Sequence, residues 1–163
     1  TDQEIVERLN LLKSVVNDHV VNTAGGVHSS ADTGDVSTSP SATSTTTMDY
    51  AAVIVLITDL RTKLIAHMGS ATYHAAADTV NLVTAPAPTV TAGFNTLINE
   101  MISKYPTHIA STTYHNVADT TNTLTASSVS SLGQVLAAAQ DLYTQMQGHV
   151  REASNDRAFR LIA

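Results

Sequence analysis

The chain contains no cysteine and no tryptophan. Without cysteine, neither a disulfide frame nor a thiolate metal site is available. Charge is scarce as well: 13% of residues are charged, against about 25% in an average domain. Lys and Arg together number 8 against 14 Asp and Glu, a formal net charge of −6. Nucleic-acid binding, which needs clustered cations, is therefore not expected. The longest apolar run, 51–57, is far short of the roughly 20 residues that cross a bilayer. No leader segment is recognised, so the expectation is a soluble protein made in a cytoplasm, with no membrane partner. Nucleophile elbows, glycine-rich phosphate loops and paired carboxylates on one helix face are all missing. No enzymatic activity and no cofactor are expected.

What the chain has instead is repetition. His67-Met-Gly-Ser-Ala-Thr-Tyr73-His74-Ala-Ala-Ala-Asp78-Thr-Val-Asn81 and His108-Ile-Ala-Ser-Thr-Thr-Tyr114-His115-Asn-Val-Ala-Asp119-Thr-Thr-Asn122 share the pattern H-x5-Y-H-x3-D-x2-N. A looser copy places His28 and Asp32 after His19, with two extra residues before the second His. A fourth copy begins at His149 and breaks off. The lead His recurs after 48, 41 and 41 residues, the signature of a tandem repeat.

Upstream of each lead His, at 14, 10, 7 and 3 residues, lie Ile5, Leu9, Leu12 and Val16; Val53, Ile57, Leu60 and Leu64; Phe94, Ile98, Met101 and Tyr105; Val135, Ala139, Leu142 and Met146. A 4-3-4 alternation is the apolar seam of a helix packed along its length. The fold class expected is all-α, a four-helix bundle of tandem helix-plus-long-loop repeats in one domain, 1–163. Thr1 and Glu4 form a capping box for a first helix running to about His19. The second should start near Thr47 or Met48, with its apolar run 51–57 buried in the bundle or covered by a second chain. The third should run from Thr89–Thr91 to about Lys104 with Pro106 at its exit, and the fourth from about Ser128 to Arg151. Up-down packing is the default expectation. The segment 29–47, almost wholly Ser, Thr, Ala, Gly and Asp, reads as an extended loop ordered by a neighbour, and 151–163 as a C-terminal docking tail.

The loops carry the polar chemistry. His67, His74, Asp78, His108, His115 and Asp119 are the candidate metal ligands, since neutral imidazole and carboxylate suit zinc or iron. H-x6-H matches no zinc signature, however, and the first copy is spaced differently. The preferred reading is a structural loop network of His19, His28, Asp32, His67, Tyr73, His74, Asp78, Asn81, His108, Tyr114, His115, Asp119 and Asn122, with no metal. In it the carboxylates accept turn amides and the tyrosines cover helix ends.

The strings at 108–123 and 67–82 resemble repeats in small structural proteins of tailed bacteriophages. The resemblance covers about half of the chain and implies a non-enzymatic virion component: a capsid decoration, or a neck or tail protein. It would assemble as a homo-oligomer in the host cytoplasm, bind other virion proteins and reside in the virion. The alternative is a metal- or ligand-binding helical bundle that uses the repeated His/Asp loops.

Overall fold

The computed structural model describes residues 1–23, 28–39, 41–42, 49–89, 91–115, 118–126 and 128–160, the side chains of 91, 92, 132 and 152–160 excepted. Four helices follow one another: α1 (Asp2–Val21), α2 (Tyr50–Met68), α3 (Thr91–Ile109) and α4 (Leu132–Arg160), with no strand among the described residues. The fold is an all-α four-helix bundle.

Local chemistry sets the helix ends. Thr1 accepts the Glu4 amide while the Glu4 carboxylate takes the Thr1 ammonium at 2.7 Å, so the expected capping box is present. Asp49 caps α2 by accepting the amides of Ala51 and Ala52, and the helix starts at Tyr50 rather than at Thr47 or Met48. Pro106 does not mark the exit of α3, which continues to Ile109. The extra turn buries His108 and Ile109 completely, which offsets the bond that proline removes. α4 starts at Leu132 rather than near Ser128, and the expected tail begins as its continuation through 151–160. Residues 161–163 lie outside the described set.

All sixteen seam residues are buried, none more than 6% exposed. Burying a Leu, Ile, Val, Phe or Met side chain contributes roughly 1.5–3 kcal/mol, so this seam is the main cohesive element of the bundle. The run 51–57 is not buried all round, because Val55 is 57% exposed.

The up-down default is overturned: the helices run parallel. His19, His67 and His108 lie in the last turns of α1, α2 and α3, and together with His149 of α4 they meet in one cluster. At the opposite end Glu4 and Arg8 of α1 line the same cleft as Gly133 and Ala137 of α4. A parallel order requires each connection to travel back along the bundle. A 19-residue helix is about 28 Å long, and about nine extended residues cover that distance. The connections 22–49, 69–90 and 110–131 are long enough for a motif loop and a return.

The returns are fastened to the helices they pass. Asn17 brackets Ser37 through its amide and carbonyl, Lys13 reaches the Ser39 carbonyl, and Asn10 brackets Ala42. Asn99 brackets Val129 in the same way. From the following helix comes an acid eight residues before each lead His. Asp59 accepts from Ser37 and Ser39, Glu100 from Thr84 and Ala85, and Asp141 from Thr125 and Ala126. The described part of 29–47 is thus fastened to α1 and α2 of its own chain; Pro40 and 43–47 lie outside the described residues. The returns occupy the α1/α2, α2/α3 and α3/α4 grooves, which leaves α1 and α4 as the pair in most direct contact. No helix among the described residues is long and apolar enough to cross a membrane.

Candidate metal centre

The parallel order stacks the three motif loops over the ends of the helices. In every copy the amide of the motif Asp donates to the carbonyl one residue past the lead His: Asp32 to Val20, Asp78 to Met68 and Asp119 to Ile109, at 2.9–3.0 Å. The first copy reaches this geometry despite its two extra residues. Neighbouring loops are joined by the Ser29 amide to the Tyr73 carbonyl and the Ala75 amide to the Tyr114 carbonyl.

Each carboxylate closes its own turn. Asp78 accepts the amides of Val80 and Asn81 and the Asn81 side-chain amide. Asp119 does the same with Thr121 and Asn122, and Asp32 accepts from Gly34 and Asp35. The fourth position is taken by the lead His of the next repeat. Asp32 meets His67 Nδ1 at 3.0 Å, Asp78 meets His108 Nδ1 at 2.8 Å, and Asp119 meets His149 Nδ1 at 2.6 Å. The motif is therefore completed between repeats rather than within one. Burial works against ionisation of Asp78 and Asp119, but the histidine and turn hydrogen bonds outweigh it and hold both below the usual carboxylate range.

All seven histidines of the chain converge here, and all are buried. His28, His74 and His115, the second His of each copy, form an inner triangle with ring centroids 4.8–5.8 Å apart. The lead residues sit around it: His67 contacts His28 and His74, His108 contacts His74 and His115, and His149 contacts His115 and His19. Tyr73 stacks on His67 and Tyr114 on His108, at interplanar angles of 19° and 15°.

The protonation of these rings follows from their partners. An ionised carboxylate or a carbonyl oxygen only accepts, so the facing Nδ1 must carry the proton. This applies to His67, His108 and His149 against their aspartates, to His28 against the Asn22 carbonyl at 2.8 Å, and to His74 against the Ser70 carbonyl at 3.2 Å. A neutral ring then presents a bare Nε2. Burial, followed by the neighbouring imidazoles, lowers His28 to about 3. His67 falls to about 4, burial again outweighing the pull of Asp32. Burial also lowers His74 to about 4 and His115 to about 2. Yet the Nε2 atoms of His28 and His67 face each other at 3.1 Å, two lone pairs with no neutral-state proton between them. Among the described residues, the Nε2 atoms of His74, His108 and His149, and both nitrogens of His19 and His115, have no hydrogen-bond partner.

Bare Nε2 with Nδ1–H held by a carboxylate or carbonyl is the arrangement that presents imidazole to a metal ion. Two ligand nitrogens about 2.0–2.1 Å from one ion, at right or tetrahedral angles, stand about 3.0–3.4 Å apart. Two triads bring their ligand atoms within 4.8 Å of one another: His19, His28 and His67, and His28, His74 and His115.

Of the candidate ligands read from the sequence, His67, His74, His108 and His115 enter the cage directly, and Asp78 and Asp119 stand behind it as orienting partners. His19 and His28, grouped with the loop network, are cage members too. His149 was singled out only as the start of a broken copy; its signal was the 41-residue spacing. Asn81 and Asn122 brace their aspartates, and Asn122 also limits how closely α4 can be substituted, since a side chain added at Gly148 would meet its Oδ1 at 1.9 Å. Comparison of the chain with protein-family models, curated proteins and solved structures found no match.

Proposed function

We propose that the chain is a metal-binding helical bundle whose histidine cage takes a divalent first-row transition ion. The observation that carries this reading is the His28–His67 contact, two bare Nε2 atoms at 3.1 Å whose Nδ1 protons are both committed elsewhere. A shared proton would create an imidazolium where burial opposes it; a cation accepts both lone pairs. Charge points the same way. Asp32, Asp78 and Asp119 are held ionised while six of the rings are pushed toward neutrality, so the region carries an excess of negative charge. Imidazole without thiolate suits zinc, copper, iron or nickel rather than magnesium or calcium.

The role this supports is cohesive. The two triads that could hold an ion draw on α1 and α2 through His19 and His67 and on all three loops through His28, His74 and His115, so a bound ion ties repeats to one another. An ion bound only by the folded state adds about 4 kcal/mol at a free concentration 1,000 times its Kd. The test is metal analysis of full-length protein and of His28→Gln/His67→Gln. Metal should accompany the first and be lost from the second.

The virion role is a second proposal and concerns the outside of the molecule. It is supported by the resemblance at 67–82 and 108–123 and by exposed Val55 within the apolar run of α2, a side chain that a neighbouring subunit would cover. The histidine motif itself faces inward, so contacts with other virion proteins would fall to outer residues. Sedimentation of wild type and Val55→Glu tests it: an assembly that dissociates on substitution supports it, and two monomers count against it.

A further inference from the structure

The three Asp–His pairs are chemically alike but differently enclosed. Asp32–His67 and Asp78–His108 have side chains 0% exposed, whereas Asp119 is 8% and His149 4% exposed. Tyr73 and Tyr114 lie flat over the rings of the first two pairs. Among the described residues, no tyrosine stacks on His149. Among the described residues, five of the seven unpartnered ring nitrogens lie on the same side: both of His19, both of His115 and the Nε2 of His149, with ring centroids of His149 5.2 Å from His19 and 5.7 Å from His115; the other two are the Nε2 atoms of His74 and His108. His149 thus spans the wall, its Nδ1 on a carboxylate at the rim and its Nε2 facing the least satisfied imidazoles of the interior.

We infer that metal ions enter and leave the cage past Asp119 and His149, with His19, His115 and His149 as the receiving face. This rests on the metal-binding reading above. A partly exposed carboxylate at the one unlidded pair supplies the attraction that a cation meets first, and such steering changes association rates by about 10–10³-fold. The tyrosine-covered pairs supply the same charge behind a ring, where an ion cannot reach it without displacing the lid. His149 then hands the ion inward to nitrogens that have no other partner.

The experiment mixes metal-free full-length protein with aqueous Co(II) and follows uptake by visible absorption in wild type, Asp119→Asn, Asp32→Asn and Tyr73→Ala. Asparagine keeps Oδ1 for the turn amides but places an amide NH2 where Oδ2 accepted the histidine Nδ1–H, so Asp32→Asn is the control that makes the same two changes at a sealed pair. The association rate should slow about tenfold in Asp119→Asn, change much less in Asp32→Asn, where the loss falls on the amount of Co(II) retained through His67, and quicken in Tyr73→Ala, which opens a second way in. Equal rates in the two Asp→Asn variants, or no gain on removing Tyr73, would overturn the assignment of the port while leaving the cage. A wild-type protein that takes up no Co(II) would overturn the cage and the port together. If Asp119→Asn fails to fold, the Tyr73→Ala arm still decides.

Discussion

The two ends of the same four helices are held by opposite kinds of chemistry. Toward the start of each helix the seam is apolar and closed. At the far end the seam positions pass to histidine, and seven imidazoles are buried almost as completely as the leucines below them. An apolar interior is stable because nothing in it seeks water. A buried imidazole that lacks a partner costs about 1–3 kcal/mol, and seven nitrogens in the cage stand in that state. The difference teaches that the lower half explains why the bundle holds together, while the upper half carries the unsatisfied nitrogens on which the metal-binding proposal rests.

Acid should separate the two halves most sharply. His28, His67 and His115 are lowered to about 3, 4 and 2 in the folded chain from 6.5, so below pH 6.5 the unfolded chain holds protons that the folded one does not. Stability should be complete above about pH 6.5 and fall as pH drops toward 4, by up to about 1.4 kcal/mol per ring per pH unit. Below about pH 4, where the unfolded carboxyls begin to take up protons, Asp78 and Asp119, held down by their hydrogen bonds, add a further loss. Denaturant melts of metal-free protein between pH 7 and 4 check this, and a flat profile would show that the rings are not buried neutral.

Truncation of the seam is next in size. Leu60→Ala or Ile98→Ala removes a fully buried aliphatic side chain and should cost about 2–5 kcal/mol, equally with and without metal. Asp78→Ala attacks the upper half by leaving His108 Nδ1 and three turn donors unpaired. It should cost about 1–3 kcal/mol and also weaken metal retention, which sharpens the contrast with the seam variants. Thr62→Ala, on the exposed face of α2, should shift stability by no more than about 0.5 kcal/mol. Comparable melting shifts for Thr62→Ala and Leu60→Ala would break the assigned helix register.

The lower half was legible in the chain because its rule is local. The 4-3-4 spacing names sixteen residues, and every one is buried, since helical periodicity alone decides which side faces in. The upper half was harder to read because its bonds cross repeats. Asp32 pairs 35 residues ahead, and Asp78 and Asp119 pair 30 residues ahead, so a motif treated as self-contained hides its partner. Two overlooked signals were present. A buried His at the seam end of every helix can be satisfied only where those ends meet, which already favours the parallel order. Asp59, Glu100 and Asp141 recur eight residues before their lead His, where each holds a returning segment. A zinc spacing could not have spoken to this cluster for a physical reason: spacing signatures describe ligands supplied by one local segment, and these imidazoles come from four helices and three loops.

The central claim, that the imidazole cage exists to hold a metal ion, is tested most directly by thermal melting of the full chain at neutral pH. The measurement is made on protein as purified, after chelation, and after return of Zn(II) or Co(II). The account predicts a lower Tm after chelation and recovery on adding the ion, with neither change in His28→Gln/His67→Gln. Identical melting curves in all three states of the wild type, with no metal bound in any, would contradict it.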